Sequence, residues 1–289
     1  MGGMTSINQM ILDKQKLYDE YKNTKKVYKY RNEIILSDFS RNTSQEDVNL
    51  HYWKLNSNQE NLGDYLSKII VDYFKPQKEY KGGGYKHLYA VGSILGFGCQ
   101  KATVWGSGLL APYRLYLKRL KLAELDIRSV RGPRTRNVLI EIGIKCPEIY
   151  GDPAVLMPYI YKPENLQKKY EISLITHFSD DSLYDNYNRI NMSTTDYKFV
   201  INEIVKSKLV ISSSLHGIIL AETYGIPAIL LNSGGDLFKY MDWYESTGRN
   251  DVKVVDNIEK ALNMEPMRLP KLEEMQEKVL KAFPKDLWE

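Results

Sequence analysis

The segment that most constrains the fold runs from residue 208 to residue 232 and has the pattern strand, turn, helix, strand. Residues 209–211 form a short β-branched apolar run, which is typical of a buried parallel strand. Serines then cap a helix that begins near His216, and Gly225 and Pro227 end it before the apolar run 228–231. This order predicts a parallel α/β sheet with a helix N-terminus at the carboxyl edge of its strands.

His216 falls where this helix begins. Free backbone N–H groups and the positive end of the helix dipole favour an anion at such a place. We therefore expect His216 to contact an anion and the turn around it to line the binding site. The turn residues concerned are Ser213, Ser214, Leu215 and Gly217. Taken alone, the segment is more typical of an ordinary packing unit with capping serines.

The alternation of strands and helices continues through both halves of the chain, which predicts two Rossmann-like domains facing across a cleft. The second half opens with a strand that ends just before His177, which either caps the strand or faces the cleft. The predicted boundaries are residues 1–158 for the first domain, 159–169 for a linker, 170–265 for the second domain and 266–289 for a closing amphipathic helix.

Glycine and serine turns follow several predicted strands of the first half. Each turn alone is typical of tight packing between a strand and a helix, but together they let a ligand approach the backbone closely. Asp64 follows one such turn and is either a helix N-cap or part of a turn that lines a ligand cleft. The turn residues predicted to line the cleft are Asn61, Gly63, Gly92, Ser93 and Ser107.

Two arginines, Arg131 and Arg134, fall at the end of another strand and the start of the helix that Pro133 opens. Guanidinium groups in this place suit a phosphate or a carboxylate. A surface ion pair or a loop contact is the equally weighted alternative.

Composition excludes several classes of function. The net charge of +4 comes from 40 basic and 36 acidic residues, a balance that argues against nucleic-acid binding. Cys99 and Cys146 show no metal-ligand spacing, so we expect free thiols, a reducing compartment and no metal. No leader or membrane span is evident, which predicts a cytoplasmic protein. The basic N-terminal helix predicted within residues 1–30 leaves contact with the inner membrane face as the less favoured alternative.

The ordered set of motifs resembles the polysaccharide pyruvyl transferase family. Ser-Leu-His-Gly at residues 214–217 is the strongest element, and each of the others is weak alone. The matching segments are residues 61–64, 92–95, 105–108, 130–135, 143, 151–154, 175–177, 213–227 and 239–244. The last of these includes Lys239, a further predicted substrate ligand. Family members commonly carry an acidic residue where this chain has Gly132 and a proline where it has Thr176.

This resemblance implies a GT-B-like fold and transfer of a pyruvyl group from phosphoenolpyruvate to two hydroxyls of a sugar. It also implies that His216 and Arg131 hold the donor, with no other cofactor. The acceptor would be a sugar or a lipid-linked oligosaccharide. The reaction needs one group that gives a proton and one that accepts it. His216 or His177 could be the acid and Asp64 the base.

Two other functions stay open at this point. A glycosyltransferase of the same architecture would use a nucleotide sugar, and Glu222 would then hold the ribose. Otherwise Glu222 is a carboxylate on the helix surface or a cap partner. The departures at Gly132 and Thr176 also leave room for a non-catalytic, sugar-binding relative.

Overall fold

The computed structural model of the chain describes residues 48–53, 60–76, 87–96, 101–121, 123–176, 187–232 and 234–288. His177, Cys99 and the predicted basic N-terminal helix lie outside these residues. Their predicted structures and roles stay predictions.

The first sheet has four described strands, all parallel, in the order β1-β2-β3-β4. The strands are β1 (Asn49–His51), β2 (His87–Tyr89), β3 (Lys101–Trp105) and β4 (Glu124–Ser129). The helices of this half are α1 (Leu62–Phe74), α2 (Arg114–Lys121) and α3 (Pro133–Glu141). Helix α1 lies between β1 and β2 in the chain, α2 between β3 and β4, and α3 after β4. Pro133 opens α3, as predicted. Proline lacks a backbone N–H, and a residue in the first helical turn has no helical partner for one.

A short crossing connects the two halves. Val130 bridges to Tyr150 in parallel, and a 3₁₀ turn (Pro153–Leu156) then leads into the single-turn helix α4 (Met157–Ile160). Residues 161–169, within the predicted linker, continue without a helix or strand.

The second sheet has five described strands, again all parallel, in the order β6-β5-β7-β8-β9. The strands are β5 (Tyr170–Ile175), β6 (Asn188–Arg189), β7 (Ser207–Ser212), β8 (Ala228–Leu231) and β9 (Val254–Val255). The helices are α5 (Tyr197–Val205), α6 (Leu215–Thr223), α7 (Phe238–Ser246), α8 (Ile258–Leu262) and α9 (Glu273–Lys281), followed by a 3₁₀ turn (Lys285–Trp288). The predicted α/β class with parallel sheets is confirmed.

The segment from 208 to 232 folds as its pattern predicts. It supplies β7, α6 and β8. Ser214 caps α6, and Gly225 adopts the left-handed φ of +74° just beyond its end.

The largest hydrophobic cluster contains residues from both halves of the chain. Leu66 of α1 and Trp105 of β3 belong to it together with Val210 of β7 and Ile218 of α6. Apolar side chains of both sheets therefore contribute to one core, and the arrangement as two facing GT-B-like domains stays a prediction.

Helix α9 returns to the first half of the molecule. The indole Nε1 of Trp105 in β3 donates to the carbonyl of Val279 at 2.8 Å. Phe283, just after α9, packs edge-on against the same indole at 4.8 Å. A helix is thus present within the predicted closing segment, and its buried Met275 and Val279 belong to the core cluster that both halves share. Within the described ranges, no helix has the length and apolar character that a bilayer crossing requires.

Candidate functional site

The start of α6 is built by a tight turn after β7. Ser214 accepts a hydrogen bond from the Gly217 N–H at 3.3 Å, and Ser213 donates its N–H to Ile175 O at 3.0 Å. A Cβ at Gly217 would lie 2.5 Å from Ser212 Oγ, so only glycine allows this approach. Leu215 is buried in the first turn. The turn therefore fixes the direction of the side chain that follows, His216.

The imidazole of His216 lies between polar neighbours rather than in an apolar interior. Its Nε2 is 3.5 Å from Asp152 Oδ2, and 12% of the side chain remains exposed. On its other edge, a Cβ built on Gly63 would come within 2.4 Å of Nδ1. Gly63 belongs to α1, so His216 stands where α6 meets the first turn of α1.

Asp64 lies in that first turn of α1. Asn61, not Asp64, is the N-cap, because Asn61 Oδ1 accepts from the Gly63 N–H at 2.8 Å. The alternative of Asp64 as a cap is therefore wrong. Burial raises the pKa of Asp64 to about 6, and nearby Asp152 adds to the rise, whereas the charges of His216 and Lys239 oppose it.

Gly92 and Lys239 complete this group. Gly92 has a φ of +115°, and a Cβ there would stand 3.4 Å from Asp64 Oδ1. Lys239 in α7 is half-buried, with its ammonium 4.8 Å from the ring centre of Tyr240. Burial lowers the pKa of Lys239 to about 8, and the Arg131 charge adds to this effect, whereas Asp64 opposes it. We call His216, Asp64, Asp152 and Lys239 the histidine cluster.

Arg131 lies next to the histidine cluster but is completely buried, with 0% exposure. Its Nε donates to Asp242 Oδ2 at 3.1 Å, one Nη to Ser93 Oγ at 2.7 Å and the other Nη to Leu109 O at 2.6 Å. Ser107 Oγ donates to the carbonyl of Gly92, which holds the neighbouring loop. Protein groups thus engage all three guanidinium nitrogens, and the direct donor contact implied for Arg131 stays a prediction.

Asp242 of α7 ties Arg131 to the start of α3. Its Oδ1 accepts the backbone N–H of Thr135 at 2.9 Å, and its Oδ2 accepts the Thr135 hydroxyl at 2.7 Å. Arg134 of α3 forms an ion pair with Glu245 of α7 at 2.6 Å. This is the ion-pair alternative given for Arg134 from the sequence. We call Arg131, Asp242 and Thr135 the arginine clasp.

Glu222 points from α6 towards α7 and is almost fully buried. Its two oxygens accept from both Nη groups of Arg249 at 2.5 and 2.8 Å, and Oε2 also accepts from Trp243 Nε1 at 2.9 Å. Glu222 is therefore neither a surface carboxylate nor a cap partner, and it does not belong to the histidine cluster.

Two carboxylates of these clusters were not predicted as functional. Asp152 lies in segment 151–154, which resembles the family, but its own signature is that of a turn residue, and it does cap the 3₁₀ turn through the Ala154 N–H. Asp242 lies mid-helix among aromatic residues, and its place in segment 239–244, which resembles the family, is the only signal that could have pointed to it. In the described part of the chain, no group of three or more His, Cys, Asp or Glu side chains is arranged to hold a metal ion.

Comparison with known proteins decides the family. The model of the polysaccharide pyruvyl transferase family matches residues 21–235. The chain belongs to this family. The match spans α1, the first sheet and β5–β8, and with them His216, Asp64 and Asp152, but it ends before α7. Lys239 and Asp242 therefore lie beyond the matched region.

Two relatives place this pyruvyl transferase family member in context. It is 30% identical over 223 residues to the succinoglycan biosynthesis protein ExoV of Rhizobium meliloti strain 1021, covering 68% of this chain and 64% of that protein. It is 27% identical over 230 residues to the uncharacterized protein L143 of Acanthamoeba polyphaga mimivirus, covering 72% of this chain and 77% of that one. The chain thus spans less than two thirds of the length of ExoV.

Proposed function

We propose that this family member transfers the pyruvyl group of phosphoenolpyruvate to two hydroxyls of a sugar in a polysaccharide or its precursor, forming a cyclic pyruvate ketal. The observation that carries the proposal is the meeting of His216, Asp64 and Lys239 where the N-termini of α1 and α6 converge. Membership of the pyruvyl transferase family supports the same reaction class.

The donor has a phosphate and a carboxylate on one carbon, so its site must offer several hydrogen-bond donors and positive charge. Helix α6 supplies its free N–H groups and positive dipole end. His216 adds a ring N–H, and Lys239 adds its ammonium group. In this arrangement the two sheets would face each other as GT-B-like domains, with the donor between their carboxyl edges.

The chemistry requires one proton to be given and others to be removed. Protonation of the methylene carbon of phosphoenolpyruvate makes an oxocarbenium-like centre, and a sugar hydroxyl attacks it. The bond from that carbon to the phosphate oxygen breaks, and the second hydroxyl closes the ring. Overall, two C–O bonds form and one breaks, while one hydroxyl proton ends on the new methyl group and the other on the released phosphate.

The histidine cluster contains groups suited to both proton transfers. His216 is the proposed acid. Asp64 is the proposed base, because a carboxylate whose pKa is raised to about 6 accepts a proton more readily near neutral pH than an ordinary aspartate. His177, outside the described residues, stays the alternative acid.

The nucleotide-sugar alternative depended on Glu222 as a ribose ligand. Because Arg249 and Trp243 already occupy both of its oxygens, no specific observation favours that reading. The proposed acceptor is a sugar or a lipid-linked oligosaccharide, handled in the cytoplasm or at the inner membrane face. The name of ExoV, a succinoglycan biosynthesis protein, is compatible with such an acceptor. No cofactor besides the donor and no nucleic-acid partner are proposed.

The test combines the purified chain with phosphoenolpyruvate and a panel of galactose, mannose and glucosamine acceptors. We expect phosphate release that depends on acceptor, together with a new methyl resonance from the ketal. The variant His216→Gln should lower turnover on the order of 10²- to 10⁴-fold, the usual contribution of a general acid. Lys260→Gln, at an exposed ion pair on α8, is the control and should keep full activity.

A thermal-shift series separates the alternatives. Phosphoenolpyruvate should stabilise the protein, by about 2.7 kcal/mol at a hundredfold excess over Kd, and uridine or cytidine diphosphate sugars should not. Stabilisation by a nucleotide sugar alone would favour a glycosyltransferase. Phosphoenolpyruvate binding without turnover on any acceptor would favour a non-catalytic relative. Unchanged turnover in His216→Gln would contradict the assignment of this residue.

A further inference from the structure

Two buried polar atoms in the histidine cluster face each other without a full hydrogen bond. They are Asp152 Oδ2 and His216 Nε2, 3.5 Å apart. Neither atom has a hydrogen-bond partner among the described residues, and the side chain of Asp152 is 0% exposed. Buried polar atoms without a partner are rare in folded proteins, so a facing pair of them calls for a functional explanation.

The carboxylate of Asp152 is held in place independently of His216. Its Oδ1 accepts the Ala154 N–H at 3.0 Å and thereby caps the 3₁₀ turn. Gly151 before it has a φ of +142° and donates its N–H to Val130 O at 3.0 Å. The direction of Oδ2 is therefore set by the backbone of the crossing between the two sheets.

Capping does not explain why this residue is an aspartate. An asparagine caps a helix about as well, through the same acceptor oxygen and without a buried charge. A buried carboxylate is costly unless a donor or a positive charge faces it. The donor that faces Oδ2 is the Nε2 edge of His216, while Asp64 from α1 and Lys239 from α7 are the other charged groups close to this ring.

We propose that Asp152 is a positioning residue that keeps a proton on His216 Nε2, so that Nδ1 is the nitrogen that exchanges a proton during the reaction. The proposal rests on the proposed pyruvyl transfer. A carboxylate can only accept, so the nitrogen opposite it must carry the hydrogen. Nδ1 then faces the first turn of α1, next to Gly63 and on the side of Asp64. A separation of 3.5 Å is long, and such contacts often tighten when substrate binds.

The direct test reads the position of the proton by ¹⁵N NMR on the full chain labelled at histidine, without substrate. The chain has four histidines, so the spectrum is simple, and the His216→Gln variant identifies the signal of residue 216. We expect the neutral ring to carry its proton on Nε2. A neutral ring with its proton on Nδ1 would overturn the proposal.

Asp152→Asn sharpens the test because it keeps the cap and removes the charge. Its amide can donate to Nε2, which should move the ring proton to Nδ1 while the signals of His51 and His87 stay in place. The melting temperature should shift by less than about 3 °C, because the cap that Asp152 provides is kept. Turnover should fall on the order of 10²- to 10⁴-fold with little change in the Michaelis constant, as expected when a catalytic imidazole is held in the wrong tautomer.

A second variant keeps the test decisive if Asp152→Asn folds poorly. Asp152→Ser also retains a capping oxygen but has neither the charge nor the amide, and should leave a mixture of the two tautomers. An unchanged His216 spectrum in both variants would contradict the proposal even if turnover fell. If the tautomer changes as expected but no acceptor is pyruvylated by the unaltered protein, the positioning role stands and the proposed function fails.

Discussion

The arginine clasp and the histidine cluster lie side by side, yet their polar groups are satisfied to different degrees. In the clasp, all three nitrogens of Arg131 and both oxygens of Asp242 have hydrogen-bond partners within the protein. In the histidine cluster, His216 Nε2 and Asp152 Oδ2 lack partners among the described residues, and the pKa values of Asp64 and Lys239 are shifted by burial.

This difference separates a structural ion pair from a site prepared for a ligand. A fully satisfied buried pair gains little from an incoming anion, because the anion would have to displace hydrogen bonds that already exist. Incomplete hydrogen bonding of buried polar atoms often accompanies a catalytic or binding role. A shifted pKa does not separate the two groups, because burial also raises the pKa of Asp242 in the clasp. We therefore expect Arg131 to act mainly on stability and His216 on the reaction, whereas the family resemblance implies donor contacts for both.

The largest effect is expected from a substitution that breaks the arginine clasp. Arg131→Met should lower the free energy of unfolding by about 3–5 kcal/mol, because it leaves Asp242 buried without its counter-charge. Urea unfolding followed by fluorescence measures the change. If stability is preserved and phosphoenolpyruvate affinity is lost instead, Arg131 is a donor ligand and the comparison fails.

The next effect is that of replacing Asp64, which should raise the free energy of unfolding by an amount that depends on pH. The pKa of Asp64 is about 6 in the folded chain, against roughly 3.9 when unfolded. The folded form therefore binds the proton more tightly, and burying the ionised group costs stability above pH 6 and nothing at low pH. A shift of this size corresponds to about 3 kcal/mol.

Asp64→Asn should accordingly raise the free energy of unfolding at pH 8 by up to about 3 kcal/mol, with the gain disappearing towards pH 4. Denaturant unfolding of both proteins at several pH values measures this. The same variant should lose pyruvyl transfer. A gain that is independent of pH would show that Asp64 is not buried as a charge.

A smaller effect tests the contact between α1 and α6. Gly63→Ala would bring a Cβ to 2.4 Å from His216 Nδ1, so the ring or the helix must move. We expect a loss of about 1–3 kcal/mol from overpacking, which outweighs the helix preference of alanine, and a changed His216 signal in the ¹⁵N spectrum. Higher stability with an unchanged His216 signal would place the two helices further apart than described.

The smallest effect concerns the outer ion pair beside the clasp. Arg134 and Glu245 are 33% and 22% exposed, and water screens such pairs. Arg134→Gln should cost less than about 1 kcal/mol in stability, and less still at high salt. A loss as large as that of Arg131→Met would mean that exposure does not distinguish these two arginines.

The local sequence alone determined the parallel α/β class and the unit that carries His216. The features involved act over a few residues: the Ser214 cap, the left-handed position of Gly225, the break at Pro227 and the apolar run of β8. Hydrogen bonds and steric limits at this range depend little on the rest of the chain, so the position of the helix start could be predicted.

Only the tertiary structure decided the partners of the charged residues. Arg131 and Arg134 have the same local sequence signal, but helix α7 gives one a buried aspartate and the other a half-exposed glutamate. Asp152 lies in a simple turn of the sequence, and its Oδ2 faces an imidazole only because α6 brings His216 within 3.5 Å of it. The energy of a charge depends on burial and on neighbours distant in the chain, and these are set by how the helices of both sheets pack together.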